Sequence, residues 1–146
     1  VGPQRTHVLP LYIFNPKDFA AHRSCSDAGH AIARVGPFAA RFLLESLEAL
    51  RSSLRKQQCE LFLRQGEPHK VVADFVMELR RAGLQGPVEV VWHEEPGNFE
   101  VAEAAQLRQV LDRLGVKSSR YWGCTLWHPQ DLALYRPRES ELDVSP

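Results

Sequence analysis

Residues 59–92 read CELFLRQGEPHKVVADFVMELRRAGLQGPVEVVW, and this stretch decides the fold. It begins and ends with short β-prone runs, at 59–63 and 88–92, and Gly and Pro residues mark the turns beside them. Between the runs, over residues 68–83, apolar side chains recur at the helical spacing, namely Val72, Phe75, Val76 and Leu79. One helix between two strands forms a crossover connection, which predicts that the strands are parallel.

The same alternation of strands and helices continues on both sides of this stretch. An earlier strand is predicted at residues 9–14, and a weaker, later strand is predicted at 116–122. Helices are predicted at 37–57 and 98–114, with Asn98 as the cap of the second. This order of elements predicts an α/β fold: an open, doubly wound, mostly parallel and Rossmann-like sheet with flanking helices.

Each of these two outer helices carries one apolar face. The residues on these faces are Leu43, Leu47, Leu50 and Leu54 in the first helix, and Leu107, Val110, Leu111 and Leu114 in the second. Two stretches do not fit the alternation. Residues 19–35 are predicted to form a long loop, and the charged, proline-containing residues 134–146 are predicted to be a loose tail.

Composition limits the classes of function. The 146 residues fit one domain, and 18 basic residues balance 18 acidic ones, so the whole chain has no basic bias toward nucleic acid. Cys25, Cys59 and Cys124 form no Cys-x-x-Cys pair, which indicates free thiols rather than a metal site. No apolar run approaches the roughly 18 residues of a membrane span, and no signal-peptide pattern is present. The sequence therefore predicts no membrane partner.

Four stretches in the right order resemble the photolyase/cryptochrome family. Residues 8–16 (VLPLYIFNP) are similar to the family's second strand, and residues 36–51 are similar to its first long helix. Residues 63–68 (LRQGEP) resemble its strand-to-helix turn. Residues 121–128 (YWGCTLWH), followed by Asp131-Leu132, resemble the closing motif of the domain in DASH cryptochromes and plant photolyase-like proteins.

The resemblance implies that residues 1–133 are the family's N-terminal α/β (antenna) domain, truncated before its first strand, with 134–146 as a tail. It implies a light-harvesting or structural role in a flavoprotein of DNA photorepair or blue-light reception. FAD, the photochemistry and DNA contact belong to the helical domain of intact family members, which is the expected partner. This chain is therefore expected to be non-catalytic and to show no flavin absorbance when purified. The plant-type resemblance implies a plastid or a nucleus as its location.

The candidate site follows the third predicted strand, because ligands of open parallel sheets bind at the carboxyl ends of the strands. Glu95 is the first candidate there, with Glu94 and Asn98 behind it. The resemblance implies an antenna chromophore, methenyltetrahydrofolate or a deazaflavin, and a carboxylate can accept paired N–H hydrogen bonds from a pterin. The alternative is that Glu94 and Glu95 only stabilise the N-terminus of the following helix.

Other classes of function and one question of topology stay open. A stand-alone nucleotide-binding or protein-interaction domain is the alternative to the antenna domain, although the chain contains neither Gly-x-Gly-x-x-Gly nor Gly-x-Ser-x-Gly. His69, His93 and His128 lack the spacing of metal ligands. In the family order, the first strand lies between the strands at 9–14 and 88–92. We expect these two strands either to pair directly or to leave a gap that another segment or chain fills.

Overall fold

The computed structural model of the chain describes residues 7–23, 31–33 and 35–123. The strands are β1 (Leu11–Phe14), β2 (Ala21–Arg23), β3 (Ala31–Ala33), β4 (Phe62–Gln65), β5 (Glu89–Glu94) and β6 (Lys117–Trp122). The helices are α1 (Pro16–Phe19), α2 (Pro37–Lys56), α3 (Pro68–Arg81) and α4 (Asn98–Arg113). None of these helices is long and apolar enough to cross a membrane.

The predicted α/β fold class is confirmed. β1 pairs in parallel with β4, from Leu11 opposite Phe62 to Phe14 opposite Gln65. β5 pairs in parallel with β6 over six positions, from Glu89 to Glu94 on the β5 side. Both ladders are joined by helical crossovers, as parallel strands require. The chain divides into two compact units, Val1–Leu84 and Gln85–Pro146, and each ladder lies within one of them.

The first unit has a core built from two helices and β4. Its buried apolar side chains are Leu47 of α2, Leu61, and Val72, Phe75 and Val76 of α3. The aromatic rings of Phe62 and Phe75 lie with their centroids 5.2 Å apart, within the range of favourable aromatic pairs. The apolar spacing that predicted α3 therefore identified its buried face correctly.

The predicted face of α2 is wrong at one position. Leu47 is buried and Leu43 and Leu54 are half-buried, but Leu50 is 46% exposed. Each residue turns the helix by about 100°, so Leu50 lies about 60° from Leu47, on the same side as Leu43 and Leu54 but farther around the helix than either, at the edge of the apolar face. A spacing of three residues moves a side chain toward solvent when the buried face is narrow.

The stretch predicted as a long loop contains regular structure. Within residues 19–35, β2 pairs with β3 in an antiparallel ladder, Ala21 opposite Ala33. Just before it, Pro16 starts the short helix α1, and the Asn15 Oδ1 accepts a hydrogen bond from the backbone N–H of Lys17 at 3.1 Å. Each of the two strands has only three residues, which is too short for apolar alternation to predict it.

The second unit consists of β5, β6 and α4, and its core is centred on the helix. Leu107 and Leu111 of α4 and Val116 before β6 are buried, and α4 packs against both strands. The weak strand predicted at 116–122 is confirmed as β6. The predicted cap is shifted by one residue: Gly97 is the N-cap of α4, and Asn98 is its first helical residue.

The strand edges bear on the predicted topology without deciding it. Among the described residues, β1 is hydrogen-bonded along one edge, to β4 of the first unit. β5 is likewise hydrogen-bonded along one edge, to β6 of the second unit. How the strands predicted at 9–14 and 88–92 are related stays a prediction. The domain boundary at residue 133 and the tail at 134–146 lie outside the described residues.

Gly66 in the turn between β4 and α3 is expected to be intolerant of a side chain. Its φ is +145°, and an added Cβ would lie 2.7 Å from the Cγ2 of Val71. We therefore expect Gly66→Ala to lower the free energy of unfolding by about 1–3 kcal/mol in urea denaturation. Gly86→Ala is the matched control, because nothing lies within 4 Å of its added Cβ. Equal effects of the two substitutions would contradict this account.

An ion-pair cluster joins the end of α2 to the residues before β4. The Arg55 Nε donates to the Glu60 carboxylate at 2.8 Å, and Arg51 also donates to it. The hydrogen bond from Arg55, followed by the hydrogen bond from Arg51, lowers the pKa of Glu60 below its ordinary value of 4.5. The basic last turn of α2 is thus partly neutralised by a residue beyond the helix.

The lowered pKa of Glu60 predicts a pH-dependent contribution to stability. Because the folded pKa lies below the unfolded one, the contribution is complete above pH 4.5 and is lost as the pH falls through the folded pKa. Glu60→Gln should therefore be less stable than the natural chain at about pH 6, and this difference should shrink when the pH is lowered well below 4.5, for example to about pH 3. Urea midpoints at the two pH values measure this, and a gap that does not shrink at the lower pH would contradict it.

Candidate functional site

In each unit, the carboxyl ends of the parallel strands form a candidate region. β1 and β4 end at Phe14 and Gln65 in the first unit, and β5 and β6 end at Glu94 and Trp122 in the second. The carboxyl ends of parallel strands are where α/β sheets commonly bind ligands. All three candidate residues from the sequence lie in the second region.

Glu94 is the last residue of β5, and it forms an ion pair with Arg120 of β6. The Arg120 Nη1 donates to the Glu94 Oε1 at 2.8 Å, across the ladder from the neighbouring strand. Both side chains are partly exposed, so the pair contributes little to stability. Its local effect is to neutralise the Glu94 carboxylate, which makes Glu94 a weaker candidate for a ligand than its neighbour.

Glu95 and Asn98 are exposed residues on the short connection from β5 to α4. Glu95 is the first residue after the strand, and Asn98 opens the helix two residues after Pro96. Within the described part of the chain, the structure shows no hydrogen bond or ion pair for the Glu95 carboxylate. The structure therefore brings a charged acceptor and an amide onto one connection three residues apart.

A residue that the sequence analysis missed occupies the N-terminus of α4. The Glu100 carboxylate folds back onto Gly97, so closely that a Cβ added at Gly97 would collide with the Glu100 Oε2. Glu100 is the third helical residue, the position from which an acidic side chain reaches back to the N-cap. A Glu three residues after Gly97 is the signal that could have identified it.

The position of Glu100 argues against two alternatives: that Glu94 and Glu95 only stabilise the N-terminus of α4, and that the domain binds a nucleotide. It is the acidic residue in the first turn of α4, so the electrostatic role first considered for Glu94 and Glu95 is already filled. The helix N-terminus is also where a nucleotide phosphate would bind in a dinucleotide-binding domain. Because the Glu100 carboxylate lies there, the geometry does not favour the nucleotide-binding alternative.

The histidines do not form a metal site among the described residues, where no group of three His, Cys, Asp or Glu side chains is close enough to hold an ion. The His93 ring packs against Gly123, where an added Cβ would lie 2.9 Å from the His93 Nδ1. In the first unit, which contains both residues, the His69 Nε2 lies 3.7 Å from the Glu67 Oε2. His128 lies outside the described residues.

The strand ends of the first unit border a shallow cleft of about 420 Å³. Its lining residues are Phe14, Pro16, Phe19, Ala20 and Gln65. Two residues after Gln65, the Glu67 carboxylate forms ion pairs with Lys70 and Lys17. The hydrogen bond from Lys70 is the main reason why the pKa of Glu67 is lowered. The two strand ends that border this cleft were expected from the sequence as possible ligand regions, but no candidate site residue was placed there.

Comparisons with known proteins agree with the motifs. Residues 3–138 match the family model described as DNA photolyase. The chain is 34% identical over 125 residues to the cryptochrome DASH of Xenopus laevis, covering 86% of this chain and 22% of that protein. It is 33% identical over 125 residues to the blue-light photoreceptor PHR2 of Arabidopsis thaliana, covering 86% of this chain and 25% of that protein.

A solved structure gives the same result for the fold. The crystal structure of the Synechocystis sp. PCC6803 cryptochrome superposes with a TM-score of 0.70 at 28% sequence identity. The match covers 86% of this chain and 23% of that one. The chain therefore spans about a quarter of the length of the relatives it matches.

The chain belongs to the DNA photolyase family. It is the α/β domain of a photolyase/cryptochrome-like protein and is similar to the DASH cryptochromes, as the four motifs predicted. The site residues Glu94, Glu95 and Asn98 are not tested by these comparisons.

Proposed function

We propose that this chain is a light-harvesting domain that holds an antenna chromophore at the connection between β5 and α4. The chromophore is a methenyltetrahydrofolate-type pterin, with a deazaflavin as the second candidate. When bound, it absorbs light and passes the excitation energy to a flavin. The proposal is supported by membership of the photolyase family and by the exposed Glu95 carboxylate at the end of a parallel strand.

The observation that carries the proposal is the contrast between the two neighbouring carboxylates. Glu94 is engaged by Arg120 at 2.8 Å, whereas Glu95 extends from the first position after the strand. A pterin presents a ring N–H beside an amino group, and one carboxylate can accept both hydrogen bonds. The residues present therefore fit a pterin: Glu95 binds and orients it, and the Asn98 amide supplies a further donor and acceptor.

The function of the whole protein is part of the proposal. We infer that a companion helical domain binds FAD, that the antenna domain delivers excitation to it, and that DNA is contacted only through that domain. DNA photorepair and blue-light reception are the two outcomes that this arrangement serves. Both follow from the family to which the chain belongs, and the α/β domain itself has no catalytic step in this scheme.

The test is chromophore binding by the full 146-residue chain, measured by equilibrium dialysis with 5,10-methenyltetrahydrofolate. Glu95→Gln should weaken binding by about 1–3 kcal/mol, roughly 5- to 150-fold, because the ring donors lose their charged acceptor. Asn98→Ala should have a smaller effect, because a neutral hydrogen bond contributes less than a charged one.

Glu48→Gln is the matched control, since Glu48 is an exposed carboxylate on α2 in the other unit. It should leave binding unchanged. Equal affinities of the Glu95 and Glu48 variants would move the pterin site away from this connection. Binding of a deazaflavin in place of the folate, insensitive to Glu95→Gln, would replace the pterin by the second candidate.

A further inference from the structure

Two of the three tryptophans of the chain lie on the ladder that ends at the proposed chromophore site. Trp92 is in β5 opposite Arg120, and Trp122 is the last residue of β6, opposite Glu94. Residues two apart on a strand share a face, as do registered partners on adjacent strands. Both indoles therefore lie on the same face of the ladder as the ion pair of Glu94 and Arg120.

The surroundings of Trp92 hold its indole in place. The residue is half-buried, and its Nε1 is enclosed with no hydrogen-bond partner among the described residues. A buried indole that donates no hydrogen bond emits at shorter wavelengths than an indole in water. Its emission still falls in the near ultraviolet, where a methenyltetrahydrofolate-type pterin absorbs.

We propose that Trp92 and Trp122 act as ultraviolet donors for the chromophore at Glu95 and so extend light harvesting to wavelengths that the indoles absorb. This inference rests on the proposed function. Glu95 follows Trp92 by three residues, about 10 Å along an extended strand, and it directly follows the register partner of Trp122. Dipole coupling acts readily over such distances. Only excitation energy moves, so no bond, proton or electron is transferred.

The experiment loads the full chain with 5,10-methenyltetrahydrofolate and excites it at the red edge of indole absorption, where tyrosine does not absorb. The chromophore emission is measured relative to direct excitation. The double variant Trp92→Phe, Trp122→Phe should lose most of the indole-excited part, because it removes the two indoles nearest the proposed site among the described residues. Tyr121→Phe is the matched control, because Tyr121 lies on the opposite face of β6 and should have no effect.

The outcomes distinguish this inference from the proposed function. If the chromophore binds but the indole-excited emission of the double variant equals that of the natural chain, the tryptophan role is wrong and the proposed function stands. If dialysis detects no chromophore on the natural chain, both fail. Should the double variant not fold, loading of the natural chain gives a second measurement: tryptophan emission must fall on binding, and unchanged emission overturns the inference.

Discussion

Phe75→Ala is expected to lower the free energy of unfolding by about 3–5 kcal/mol, among the largest effects of any single substitution in the chain. Phe75 is 8% exposed, and its ring centroid lies 5.2 Å from that of Phe62. The Arg64 guanidinium lies over the Phe75 ring, 5.5 Å from its centroid. Truncation removes these contacts and leaves a cavity between α3 and β4. A domain of this size has a total stability of about 5–15 kcal/mol, so the loss is severe.

Phe42→Ala makes the same chemical change on the surface of α2. Phe42 is 73% exposed, so its truncation should change stability by no more than about 0.5 kcal/mol. Urea denaturation followed by circular dichroism measures both variants. A Phe42 variant as unstable as the Phe75 variant would mean that the exposed aromatic face of α2 is covered in solution, and the contrast drawn here would be wrong.

Leu111→Ala is expected to have the largest effect in the second unit, about 2–5 kcal/mol. The Leu111 side chain is completely buried on the inner face of α4, and its backbone carbonyl accepts a hydrogen bond from the N–H of Val116, which leads into β6. Loss of the side chain leaves a cavity beneath the strands that carry Glu94 and Arg120. The variant should therefore also bind the chromophore less well than the natural chain.

Val101→Ala is the control on the same helix, because Val101 is 53% exposed. It should lie within about 0.5 kcal/mol of the natural chain. Tryptophan fluorescence is a suitable probe, since Trp92 and Trp122 both lie on the ladder of this unit. Equal loss of stability in the two variants would show that burial along α4 differs from the structure.

Much of the candidate site was predictable because it depends on chain direction. A parallel strand followed by a helix exposes the residues at its carboxyl end, and within that region the resemblance to the photolyase/cryptochrome family indicated Glu95, Glu94 and Asn98. The ion pair of Glu94 and Arg120 was not predictable, because the partners are 26 residues apart and meet only through the register of β5 and β6. The same holds for the His93 ring against Gly123.

The sequence by itself determined the order of the four longer strands and the three longer helices, their parallel direction and the family, because apolar periodicity and short motifs are local properties of the chain. Only the tertiary structure decided that β2 and β3 pair and that Leu50 is largely exposed to solvent. It also decided which of two adjacent carboxylates is neutralised. These outcomes depend on contacts between residues that no local pattern relates, and the register of a ladder or the width of a buried face exists only once the chain has folded.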